Sequence, residues 1–184
     1  MKNINPCLGC DGRCCKGLTV ILTVPEALTL LKKTKLRPEQ ILEFSCQIDP
    51  NSVPHYPILV KQKNELKQYF IIIKRAKKCI FLDENNKCKI YENRPNVCRI
   101  YPFELDGKTL RERYLCAMAF KKTGEIENSA QELQSFLKLH GIVIREWNVK
   151  NSTQQDFLDI KNFLEYFEEI TNIAAKKYKI SLPK

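Results

Sequence analysis

PCLGCDGRCCKG, residues 6–17, sets four cysteines and three glycines in one short stretch near the amino terminus. Cys7-x2-Cys10 is a knuckle spacing that lets two sulfurs reach one metal, at about 2.3 Å for zinc. Three residues further on, Cys14 brings a third sulfur round. Its neighbour Cys15 is expected to point elsewhere. The vicinal pair therefore reads as ligands to two metals, as two corners of a cluster, or as one ligand beside a free thiol. Gly9, Gly12 and Gly17 let the backbone fold tightly around a small centre.

Working outward, a second group follows at Cys79-x8-Cys88-x9-Cys98-x17-Cys116. These intervals are loose for a knuckle, but a hairpin and a turn bring such positions together. With the first group they supply eight sulfurs, enough for two four-sulfur sites. Cys46 stands apart in a loop and reads as a non-ligand. His55, in a Pro-rich loop, and His140, read as a helix end where the dipole suits it, are poor ligand candidates. Lys74-Arg75-Ala76-Lys77-Lys78 directly precedes Cys79, and Arg99 follows Cys98. Cations there lower thiol pKa values and offset the charge of a thiolate-bound centre, or else form a solvated basic loop.

The 184 residues suit one domain with a helical appendage, and 43% hydrophobic content is enough for an ordinary core. The amino terminus has no apolar signal segment, and stretches such as Tyr69–Ile73 are too short to span a bilayer. The expected location is the cytoplasm, where thiols stay reduced and clustered cysteines mean metal more often than disulfide. Nine cysteines, an odd number, also pair poorly. The formal charge of +10 is a warrant for nucleic-acid binding, but thiolate ligation offsets part of it. No basic–aromatic recognition motif accompanies the charge, so nucleic acid is not an expected partner, and neither is a membrane.

Residues 18–24 read as a buried strand, followed by a helix to about Lys33 with a Thr23-x-x-Glu26 capping box. Residues 38–44 read as a second short helix and 46–57 as loop. Tyr69–Ile73 is an expected strand, 79–91 a hairpin about residues 84–86, and 105–115 a hairpin about Asp106-Gly107. Cys98 sits on a turn or short helix opened by Arg94-Pro95. After Cys116 there is no further cysteine. Ser129-x-x-Glu132 has capping-box spacing before a helix ending near His140-Gly141. A longer helix over 153–178 carries Phe157, Ile160, Leu164, Phe167, Ile170 and Ala174 as one stripe. The expected fold is α+β. A small irregular cysteine-rich core with short strands forms a metal-binding domain over 1–120, and carboxy-terminal helices (121–184) pack on it.

Cys7, Cys10, Cys14 and Cys15, then Cys88-x-Ile90-Tyr91-x2-Arg94-Pro95-x2-Cys98-Arg99-x-Tyr101-Pro102-Phe103, then Cys116, resemble the YkgJ-type cysteine-cluster proteins, also called the CxxCxxCC or zinc- or iron-chelating domain. The likeness covers roughly residues 7–120 and leaves out the carboxy-terminal helices. This chain has three residues rather than two between Cys10 and Cys14. The resemblance implies binding of zinc or an iron–sulfur cluster. Many members are labelled oxidoreductases, and the cysteine domain of flagellin lysine N-methylases is similar, so a protein substrate and methyl transfer are among its implications. Nothing in the chain shows a methyl-donor site, and a Rossmann-type Gly-rich loop is absent.

Read physically, Pro95 fixes the turn presenting Cys98. Arg94 and Arg99 are candidate donors to sulfur or to a bound anion, and Tyr91, Tyr101 and Phe103 form an apolar shell around the centre. Arg94, Arg99 and Tyr101 are therefore taken with the centre, as cofactor-binding residues. The first functional expectation is an iron–sulfur protein, with a 4Fe–4S cluster, in a redox or enzymatic role. The alternative is a zinc (Zn2+)-stabilised module binding a protein partner. Sulfur-only donors suit both metals. No general base, nucleophile or substrate pocket stands out in the sequence.

Overall fold

The computed structural model describes residues 10–53, 56, 58–62, 65–112, 123–150, 160–180 and 182. Cys7, His55, Cys116 and Phe157 thus lie outside the described residues.

Helix α1 (Arg13–Gly17) is a single turn entered through Gly12 at φ 76°. Strand β1 (Ile21–Leu22) is shorter than the run 18–24 because Thr23 already caps the next helix, α2 (Val24–Thr34). The expected capping box is present. Thr23 Oγ1 accepts from Glu26 N at 3.2 Å, and Glu26 Oε2 accepts from Thr23 N at 3.1 Å. Pro25 sits where its missing N–H costs no intrahelical bond.

The helix read over 38–44 is cut short. Helix α3 (Pro38–Ile41) ends at Leu42, and β2 (Leu42–Ser45) follows directly. Tertiary pairing decides this, because Leu42, Phe44 and their neighbours pair with the strand that carries the Ile71–Ile73 run. That strand, β4 (Glu65–Ile73), is longer than Tyr69–Ile73, and it forms a ribbon with β3 (Ile58–Gln62), which the sequence did not announce. β4 pairs antiparallel with β1, β2 and β3. β1 and β2 flank its apolar half, with Ile21 opposite Ile72 and Phe44 opposite Ile71. Phe70 and Ile71 are fully buried there.

Residues 74–93 are irregular, held by single bridges rather than strands. Leu82 bridges Cys88, Asp83 N donates to Lys87 O at 2.9 Å, and Lys89 N donates to Phe81 O at 2.8 Å. This is the hairpin expected over 79–91, reduced to its turn. Helix α4 (Asn96–Ile100) carries Cys98, and β5 (Phe103–Asp106) pairs with β6 (Thr109–Glu112) about Gly107.

Helix α5 (Gly124–Lys150) is one uninterrupted helix. The start at Ser129 and the stop at His140-Gly141 are both corrected. Ser129 is buried inside the helix, and the apolar stripe runs on through Val143, Ile144 and Trp147, all at most 5% exposed. A mid-helix glycine costs about 1 kcal/mol, whereas burying each of those three side chains is worth roughly 1.5–3 kcal/mol. The stripe wins.

Helix α6 (Ile160–Lys177) buries Ile160, Leu164, Phe167 and Ala174 as expected. Phe163 stands 5.0 Å from Trp147, 4.5 Å from Phe167 and 5.2 Å from Phe44, joining α5, α6 and β2 in one aromatic knot. The fold is α+β, and one hydrophobic cluster includes residues of β1, α2, α3, β2, β4, α5 and α6. Among the described residues no helix is long and apolar enough to cross a membrane.

Candidate metal centre

The first sulfur loop is built by its own backbone. Gly12 N donates to Cys10 Sγ at 3.4 Å, Lys16 N to Gly12 O at 2.9 Å, and Leu18 N to Cys14 O at 2.8 Å. Gly12 is required twice over. Its φ is left-handed, and a Cβ there would stand 3.0 Å from Leu82 Cδ1.

The α1 turn is then sewn to the second cysteine group. Cys79 N donates to Cys15 O at 2.8 Å, and Arg75 Nη2 donates to Lys16 O at 2.7 Å. The basic run is therefore more than a solvated loop. Lys74 Nζ and Lys78 Nζ also donate to backbone carbonyls, those of Glu39 and Asp83.

The sulfurs of Cys14 and Cys15 are 3.9 Å apart. These neighbours, expected to point apart, keep their sulfurs within 3.9 Å in the helical turn at residues 13–17. Two sulfurs on one tetrahedral zinc, each at ~2.3 Å, stand roughly 3.8 Å apart, so the observed spacing suits shared ligation. Cys15 also interacts electrostatically with Cys79, whose N–H donates to the Cys15 carbonyl. Cys15 thus interacts with both Cys14 and Cys79.

These thiols polarise one another. Hydrogen bonding from Cys15 brings the Cys14 thiol down to about 6 and that of Cys79 down to about 7. Cys15, the shared donor, is pushed far up by the same bonds. Burial raises Cys88 and Cys98. The Arg94 guanidinium acts the other way on Cys14, Cys88 and Cys98, drawing each thiol down.

Arg94 stacks 3.6 Å above the Tyr91 ring centroid, and its Nε donates to Tyr91 O at 2.9 Å. Arg99 Nε donates to Arg94 O at 2.9 Å, and its Nη2 donates to Glu92 O. Arg99 thus braces the turn that delivers Cys98.

Cys10, Cys14, Cys15, Cys79, Cys88 and Cys98 all border one cavity of about 1370 Å³, as do Arg94 and Tyr101. Its opposite side includes Leu137, His140 and Ile144 of α5. Cys46 is exposed and is not among the described residues that line it. Among the described residues no three His, Cys, Asp or Glu side chains converge closely enough to hold a metal ion by themselves. Cys7 and Cys116, both in the expected ligand set, lie outside the described residues. The donor chemistry nonetheless fits zinc or an iron–sulfur cluster: soft sulfurs, cations nearby and an apolar surround.

His140 lies in mid-helix, and its roles are structural. Its Nδ1 accepts from Val24 N at 3.0 Å, which leaves Nε2 to donate to Tyr56 O at 3.2 Å. Both ring nitrogens are used, and burial lowers its pKa to about 4. Sequence reading missed the reach of Glu26. It has the spacing of a cap, but its other oxygen accepts from Val97 N at 3.2 Å, 71 residues away.

No solved structure matches the chain. The family model CxxCxxCC, described as "Putative zinc- or iron-chelating domain", matches residues 6–117. That span is well over half of the chain and takes in both cysteine groups. The chain belongs to this family of cysteine-rich zinc- or iron-chelating domains.

Proposed function

We propose that this metal-binding protein holds an iron–sulfur cluster, of 4Fe–4S type, in a redox or enzymatic role in the cytoplasm. The ligands are drawn from Cys7, Cys10, Cys14, Cys15, Cys79, Cys88, Cys98 and Cys116. Residues 1–120 form the metal-binding domain, and 121–184 form the helical extension that closes over it. The observation that carries the reading is the cavity: six described cysteines border a space of about 1370 Å³. A purely structural metal site is closed by its ligands and the core, whereas a working one keeps an open side. Here the open side has room for a second reactant, including a side chain of a protein substrate.

In this reading the chain's own residues do three things. Arg94 places positive charge beside Cys14, Cys88 and Cys98 and so favours their thiolate forms. Arg99 and Pro95 hold the turn before Cys98. Tyr101 borders the cavity and limits solvent access to the sulfurs. A bound cluster would supply one-electron chemistry or an electrophilic iron.

A second reading is favoured by one distance. The 3.9 Å between Cys14 and Cys15 suits two ligands of a single ion, as in a zinc-stabilised interaction module. The discriminating experiment is dithionite reduction of anaerobically purified protein, followed by absorption and electron paramagnetic resonance. Bleaching of a visible band with a new paramagnetic signal supports the cluster. A protein without visible absorption before or after reduction supports the zinc module instead.

A further inference from the structure

Glu26 is a carboxylate only 2% exposed, and the metal-binding reading makes no use of it. As the third residue of a capping box, it needs only one oxygen to satisfy the cap. Oxygen Oε2 does this, accepting from Thr23 N at 3.1 Å and from Thr23 Oγ1 at 3.0 Å. Oxygen Oε1 accepts from Val97 N at 3.2 Å. Val97 lies in the first turn of α4, directly before Cys98. One carboxylate therefore caps two helices that are far apart in the chain, and the second carries a thiol of the centre.

The helix it holds has little else to fix its start. α4 is five residues long, its N-cap is Pro95, and no side chain of its own caps it. A proline offers no hydroxyl or carboxylate to the free N–H groups of the first turn. The acceptor comes from elsewhere: Glu26 supplies it, anchored at its other end by Thr23. Asn96 Nδ2, on the same turn, donates to Glu132 Oε2 at 2.9 Å and ties α4 to α5. With both bonds in place, the position of Cys98 relative to α2 is set by Glu26.

We infer that Glu26 is the positioning residue of the Cys98 ligand, holding the amino end of α4 so that the Cys98 sulfur meets the metal. The inference rests on the reading of Cys98 as a ligand. Residues that orient ligands typically change metal affinity by 10–100-fold when removed.

The test uses the full chain under reducing, anaerobic conditions, titrated with Co2+ against a chelating indicator. Sulfur-to-cobalt charge-transfer and d–d bands read ligand number and angle. Glu26→Ala is expected to weaken Co2+ binding at least ~10-fold and to shift the bands. Glu26→Gln keeps one accepting oxygen for Val97 N–H, but its amide NH2 then faces the Thr23 N–H, so it is expected to recover part of both. Thr23→Ala loses the hydroxyl but keeps the Thr23 N–H bond that anchors Oε2, so it should lower the melting temperature and move the bands less than Glu26→Ala does. If Glu26→Ala does not fold, Glu26→Asp, one methylene too short to span Thr23 and Val97, replaces it with the same expectation. Wild-type affinity and bands in the glutamate variant overturn the positioning role, provided Cys98→Ser has altered them. If Cys98→Ser leaves the bands unchanged, the ligand reading beneath the inference is the one that falls.

Discussion

Cys14 and Cys15, adjacent in the chain, hold their sulfurs 3.9 Å apart within a single helical turn. Neighbours in an extended segment would point to opposite faces. Cys79 N donates to Cys15 O at 2.8 Å, and the two cysteine groups meet there. Replacing a cysteine of this centre should therefore do more than remove one donor. Cys15→Ser and Cys10→Ser are each expected to lose metal and to fold poorly, because metal binding and folding are coupled in small thiolate sites. Cys46→Ser, on an exposed cysteine, should keep wild-type metal content. Metal-to-protein ratios of the three purified variants check this, and a full complement in Cys15→Ser would remove that residue from the ligand set.

Gly12 makes the turn possible. Gly12→Ala must adopt φ near 76° and face Leu82 Cδ1 at 3.0 Å. The left-handed backbone alone costs roughly 1–2 kcal/mol for a residue with a Cβ. Denaturant unfolding of metal-loaded Gly12→Ala should show a loss of at least about 1 kcal/mol. Gly17→Ala should be close to neutral, because nothing lies within 4 Å of a Cβ there. Equal stability of the two variants would contradict the argument.

The carboxy-terminal helices are part of the same core. Phe163 is 1% exposed and touches Phe44, Trp147 and Phe167. Phe163→Ala should cost about 3–5 kcal/mol, as for other large-to-small core changes. It should also change the emission of Trp147, the sole tryptophan. A cost below about 1 kcal/mol would mean that α6 packs without contributing to the core.

How much of this was legible in the residues follows from how local each signal is. The Thr23–Glu26 cap, the Gly107 hairpin and the α6 stripe are set within a few residues, and each was readable. β3 and the cut at Leu42 depend on partners far along the chain, notably Ile71 and Ile73, so no local pattern announced them. His140 was read as a helix end because glycine follows it, yet buried stripe residues on either side outweigh that signal. Of the eight cysteines singled out by their spacings, six are described along one cavity, with Arg94 and Pro95 beside them. That Glu26 reaches Val97 has no signature in sequence at all.

His140 gives the fold an acid limit. In the unfolded chain its pKa is near 6.5, and burial lowers it to about 4 in the folded protein. The unfolded state therefore takes up the proton first. Stability is fully present above about 6.5 and declines as pH falls toward 4, by roughly 3 kcal/mol from this residue. Glu26, whose pKa is raised by burial, works in the opposite sense, losing its contribution as pH rises. Comparing wild type with His140→Gln isolates the histidine. The difference in unfolding free energy between the two should shrink as pH drops from 7 to 4.5, and a constant difference would exclude the assignment.

The most direct test of the central claim is elemental analysis, with acid-labile sulfide and a visible spectrum, on full-length protein purified without oxygen. The account predicts iron with sulfide in stoichiometric amounts and a brown protein. Zinc alone in a colourless protein would contradict the cluster and leave the zinc module. Protein that folds fully with no metal would contradict the claim that these cysteines are there to bind it.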